Sequence, residues 1–106
     1  MATVEIYTKS WCGYSKAALR LLNRKGVKYT HIDVTNDHEK ELIMIQRANT
    51  HTVPQVFING QSVGGYDDIA ALDASGELNK LLAVEIPVTP YAQPIEGVQN
   101  EQLYNS

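Results

Sequence analysis

The one cysteine of the chain, Cys12, stands in Lys9-Ser10-Trp11-Cys12-Gly13-Tyr14-Ser15, between a stretch with strand alternation and one with helical periodicity. A thiol at the first turn of a helix faces backbone N–H groups with no intrahelical acceptor and the positive end of the helix dipole. Both favour thiolate over thiol. Lys9 adds a nearby positive charge. With an ordinary thiol pKa of about 8.5 only roughly 3% of the sulfur is ionised at pH 7, whereas a pKa near 5 makes ionisation almost complete. The chemistry suited to such a site is nucleophilic attack by sulfur. A lone cysteine in a small protein is more often a buried apolar residue. Here the corner also carries Ser10, Gly13 and Ser15, a poor setting for a packing thiol. One cysteine cannot close an intramolecular disulfide, so every disulfide this chain forms joins it to another molecule.

The elements that must position Cys12 follow from periodicity. Val4-Glu5-Ile6-Tyr7-Thr8 alternates with β-branched and aromatic residues and is predicted as a strand. From Gly13, residues Ala17, Ala18, Leu21 and Leu22 recur at helical spacing until Gly26 supplies a stop. A second strand is expected over residues 27–34, parallel to the first because a short helical crossover joins them. Thr35-Asn36-Asp37 offers caps for a helix over residues 37–48, with Leu42, Ile43, Met44 and Ile45 expected on its apolar side. Residues 54–58 and 61–64 flank Asn59-Gly60, which predicts a hairpin closed by a type I′ turn. Asp67-Asp68 opens a helix carrying Ile69, Ala70, Leu72 and Ala74 that stops near Gly76, and Leu78, Leu81 and Leu82 mark a last short one.

At 106 residues the chain is long enough for one domain with its own core. The net charge is −3, yet residues 1–83 hold all nine Lys and Arg and nine of the twelve acids, so that part is formally neutral. No basic stripe suggests a nucleic-acid partner, and no apolar run of about twenty residues suggests a membrane span. The N-terminal residues have no signal-peptide pattern, so a cytoplasmic location is expected. Beyond residue 83, Pro87, Pro90 and Pro94 interrupt any helix and Lys and Arg are absent. The expected organisation is a folded unit over residues 1–83 and an extension over residues 84–106, flexible or docked. His31, His38 and His51 lack metal-ligand spacing, so the residues predict no metal site.

Three separated segments can converge on one side of such a sheet: Cys12-Gly13-Tyr14-Ser15, Thr52-Val53-Pro54 and Gly64-Gly65-Tyr66-Asp67-Asp68. Together, across residues 3–83, they resemble the glutaredoxin family. The resemblance implies an α/β, thioredoxin-like (glutaredoxin) fold with a central four-stranded mixed sheet flanked by helices. It implies a glutathione-dependent thiol–disulfide oxidoreductase with Cys12 as the catalytic nucleophile. By the same resemblance the Val53–Pro54 bond is cis, and the Val53 backbone pairs with glutathione lying as an extended peptide beside the sulfur. Lys9 and the N–H groups of Tyr66 and Asp67 would take the two carboxylates, with Arg47 a lesser candidate. Asp67 could meet the α-amino group, Thr52 and Pro54 belong to the same wall, Gly65 permits close approach, and Tyr14 flanks the groove.

Ser15 stands where dithiol relatives carry a second cysteine, either as a natural variant or as a Cys→Ser replacement. The expected route is therefore the single-thiol one, acting on glutathionylated or disulfide-containing proteins. An alternative function is carriage of a [2Fe-2S] cluster by a homodimer, with Cys12 and a glutathione thiolate from each half as ligands. Without a cluster the chain is expected to be a monomer. A nonenzymatic redox adaptor using its extension is a third reading.

Overall fold

β-branching and alternation in VEIYT give the inner strand of the computed structural model, which describes residues 2–84. This strand, β1 (Val4–Thr8), buries every residue except Glu5, which is half-buried. It leads through a tight loop into α1 (Gly13–Lys25), whose buried stripe is Ser15, Ala18, Leu21 and Leu22. Gly26, in the left-handed region, ends that helix and donates its N–H to the Asn23 carbonyl. The chain returns as β2 (Thr30–Asp33), parallel to β1 from Glu5↔Thr30 to Thr8↔Asp33. The Asp37 side chain then caps α2 (His38–Ala48) by accepting from the Lys40 N–H at 3.1 Å.

β3 (Gln55–Ile58) pairs antiparallel with β1, and β4 (Gln61–Gly64) antiparallel with β3, so the sheet order is β2-β1-β3-β4. Asn59 and Gly60 join the hairpin with φ of 54° and 80°, the two positive angles that a type I′ turn requires. α3 (Tyr66–Ser75) and α4 (Glu77–Ala83) complete the described residues. The four-stranded mixed sheet flanked by helices expected from the sequence is the architecture observed.

Strand alternation sorts the core onto two faces. Val4, Ile6, Val56 and Ile58 meet Ala18, Leu21 and Leu22 of α1, Ile69 of α3, and Leu78 and Leu82 of α4. Tyr7 and Phe57 face the other way, onto Met44 of α2 and Val34. Burial of β3 on both faces follows from its inner place in the sheet.

Two expectations need correction. The second strand is shorter than residues 27–34: ladder pairing covers only Thr30–Asp33, opposite Glu5–Thr8 of β1, and Val27 is buried by packing instead. The apolar side of α2 is narrower than expected, with Met44 fully buried while Leu42 and Ile43 are 47% and 49% exposed. Four consecutive residues at 100° intervals sweep most of a helix's circumference, so they cannot all face one sheet.

Val84 is the last described residue, and its carbonyl accepts from Asn59 Nδ2 at 2.8 Å. The rest of the expected extension over residues 84–106 lies outside the described residues. Among the described residues no helix is long and apolar enough to cross a membrane.

Candidate active site

β1 delivers the chain to the loop that presents Cys12. Its N–H donates to the Lys9 carbonyl at 3.1 Å, which closes the turn, and its own carbonyl accepts from the Lys16 N–H at 3.2 Å as α1 begins. Cys12 is thus the N-cap residue, in extended conformation, with its sulfur at the helix end where N–H groups lack intrahelical acceptors. The side chain is only 9% exposed, and the thiol points at the Val53 carbonyl, 3.6 Å away. Burial pushes the Cys12 thiol pKa up, but hydrogen bonding by the Ser15 hydroxyl and by the backbone at Ser15 and Tyr14 outweighs it. The net displacement is downward, towards thiolate.

Ser15 therefore has a place of its own in the site. It is buried on the inner stripe of α1, and its Oγ also accepts from the Lys9 N–H at 3.3 Å. The loop is held from outside as well, since the Thr35 hydroxyl accepts from the Ser10 N–H at 2.8 Å and itself donates to Asp33. These contacts set the sulfur's position from both ends of the loop.

An open groove of about 400 Å³ adjoins Val53, lined by Tyr14, Thr52, Val53, Pro54, Gly65, Tyr66 and Asp67 among others. The Val53–Pro54 peptide is cis. Gln55 Nε2 donates to the Thr52 carbonyl and hydroxyl at 3.0 and 3.1 Å, which fixes the backbone just ahead of that bond. Tyr66 and Asp67, which also line the groove, occupy the first turn of α3. The N-cap N–H of Gly65 is taken by Asp68 Oδ2 at 3.0 Å. The more demanding glycine is Gly64 rather than Gly65. Gly64 has φ of 104°, and a Cβ there would collide with the Asp68 carboxylate, whereas a Cβ on Gly65 would sit 3.3 Å from the Pro54 carbonyl. The Tyr14 and Tyr66 rings stand 6.2 Å apart, with Tyr14 63% exposed.

Cys12, Tyr14, Ser15, Thr52, Val53, Pro54, Gly65, Tyr66 and Asp67 are thus brought together. Two cations expected at the site are already engaged. Lys9 Nζ lies 2.8 Å from Glu41 Oε2. Arg47 contacts both oxygens of Glu5 at 2.8 and 3.2 Å, donates to the Tyr7 hydroxyl at 2.9 Å, and lies 4.0 Å from the Phe57 ring centroid. Arg47 thereby fastens α2 to the sheet. Sequence reasoning missed Glu41, Gln55 and the hydrogen bond that Ser15 gives the sulfur. Gln55 had a legible signal, a polar residue in an otherwise apolar strand. Among the described residues no group of three or more His, Cys, Asp or Glu side chains could hold a metal ion. Toward an iron–sulfur cluster one chain offers the Cys12 sulfur as its single thiolate, so a [2Fe-2S] cluster held by four thiolates would need a second copy and two glutathione thiolates.

The family model described as Glutaredoxin matches residues 4–63. Glutaredoxin 3 of Escherichia coli strain K12 is 48% identical over 82 residues, covering 77% of this chain and 99% of that protein. The solution structure of glutaredoxin from Brucella melitensis aligns with a TM-score of 0.69 at 41% identity, over 77% of this chain and 89% of that one. The crystal structure of a buckwheat glutaredoxin–glutathione complex aligns with a TM-score of 0.70 at 26% identity, over 76% of each chain.

Proposed function

This chain belongs to the glutaredoxin family and is a thiol–disulfide oxidoreductase, and we propose that it works through glutathione by a single-thiol cycle at Cys12. The observation that carries this reading is the meeting of a thiolate-favouring Cys12, the Val53 backbone and the first turn of α3 around one groove. A small peptide lying there can pair with the Val53 backbone and present a carboxylate to the helix N-terminus, while its sulfur reaches Cys12. The glutathione bound by the buckwheat relative supports the choice of peptide.

In the cycle, the Cys12 thiolate attacks the glutathione sulfur of a protein–glutathione mixed disulfide. That S–S bond breaks, the protein leaves as thiolate and takes a proton from solvent, and a Cys12–glutathione disulfide forms. A second glutathione thiolate then attacks the glutathione sulfur of this adduct. Oxidised glutathione departs and the Cys12 thiolate returns. A lowered thiol pKa helps twice, through the thiolate fraction in the first step and the leaving group in the second. Ser15 carries no sulfur, so the adduct cannot be resolved from within the chain.

Mass measurement after treatment with glutathione disulfide tests this reading. The expected result is a gain of one glutathionyl group by the parent chain, reversed by added glutathione and absent from Cys12→Ser. An unmodified parent would contradict it.

A further inference from the structure

Lys9 is the cation proposed above for one glutathione carboxylate, yet inside the chain it already has a carboxylate. Its Nζ lies 2.8 Å from Glu41 Oε2, with about a fifth of each side chain exposed. The same ammonium sits 5.7 Å from the Trp11 ring centroid, so it is held between the active-site loop and α2. The hydrogen bond from Lys9 lowers the Glu41 carboxyl pKa, partly opposed by desolvation, and the charges of Lys9, His38 and His51 act in the same lowering direction. Glu41 is therefore an ionised competitor attached to the same chain and already in contact with the ammonium. A ligand carboxylate reaching Lys9 must displace Glu41 or share the cation with it, which puts two like charges side by side. Arg47 of α2 is committed to Glu5 and Tyr7 and offers no relief.

We infer that Glu41 is a specificity-determining residue: as the resident counter-ion of Lys9 it stands in for the ligand's terminal carboxylate. It thereby shifts the site towards γ-glutamyl thiols whose C-terminal end is uncharged, such as an ester or amide. The inference rests on the proposed use of glutathione and adds the class of ligand that the Lys9 end favours. A ligand without that charge leaves the Lys9–Glu41 pair intact and loses no partner.

The test compares two mixed disulfides on one carrier peptide, one with glutathione and one with its glycyl ethyl ester. In the parent chain the two kcat/KM values are expected to agree within about twofold. Glu41→Gln, a surface change of the same shape, is expected to raise the preference for the free acid about fivefold, through KM rather than kcat. Adding Lys9→Gln to that variant should erase the gain. A parent chain that already prefers the free acid about fivefold, with the ratio unchanged in Glu41→Gln, would overturn the inference while leaving glutathione use standing. Failure to reduce either disulfide would overturn glutathione use, and the inference with it.

Discussion

At the scale of single residues, thiolate is favoured at Cys12 by its hydrogen-bond donors. The donors are local: the Ser15 hydroxyl and the backbone at Ser15 and Tyr14 overcome the cost of burial. Ser15→Ala should therefore raise the Cys12 pKa and move the pH–rate profile for mixed-disulfide reduction upward. At pH 6 the rate should fall by on the order of tenfold, the size of a hydrogen bond to a charged group. An unchanged profile would contradict this role. The same lowered pKa couples to stability. A thiolate favoured by the fold stabilises it fully above the unfolded thiol's pKa, and that contribution is lost as pH falls through the native value. The stability gap between the parent and Cys12→Ser in urea should accordingly shift in the parent's favour from pH 5 to pH 9.5. The nucleophile was legible in the sequence because a cysteine at a strand-to-helix corner has few structural uses. The partner of Lys9 was not: the lysine looks available until α2 is packed, and Glu41 lies far along the chain.

At the scale of elements, α2 is fastened to the sheet by Arg47 as well as by its apolar residues. Met44 is its one fully buried side chain, while the Arg47 guanidinium stacks on Phe57 and forks onto Glu5. Arg47→Ala should lose packing and leave the Glu5 carboxylate without its partner, costing about 1–3 kcal/mol in chemical unfolding. KM for the glutathione mixed disulfide should stay within about twofold of the parent's, and a tenfold rise would return Arg47 to the binding site. Elements with local determinants were readable. Asn59-Gly60 dictates its hairpin, and Gly26 ends α1 where periodicity stops. The face that α2 presents was not, because Leu42-Ile43-Met44-Ile45 is apolar around most of the helix and only the sheet decides which residues face inward. The extent of β2 is likewise set by its partner strand.

At the scale of the whole molecule, both core layers close within the described residues, Leu78 and Leu82 of α4 sealing the α1–α3 side. A chain ending at residue 84 should therefore unfold in one cooperative transition and retain at least about half of the parent's kcat/KM. A broad transition or a tenfold loss would assign residues 85–106 a part in the core or the site. The proposed function needs both a reactive sulfur and a groove that would hold a γ-glutamyl peptide beside it, and each half is of little use alone. The most direct test is the ratio of kcat/KM for one carrier peptide disulfide-linked to glutathione and the same peptide linked to free cysteine. The two substrates share the scissile bond and differ in what fills the groove. Preference for glutathione by at least about tenfold, with Cys12→Ser inactive on both, is the predicted result. Equal rates on the two disulfides would contradict the account.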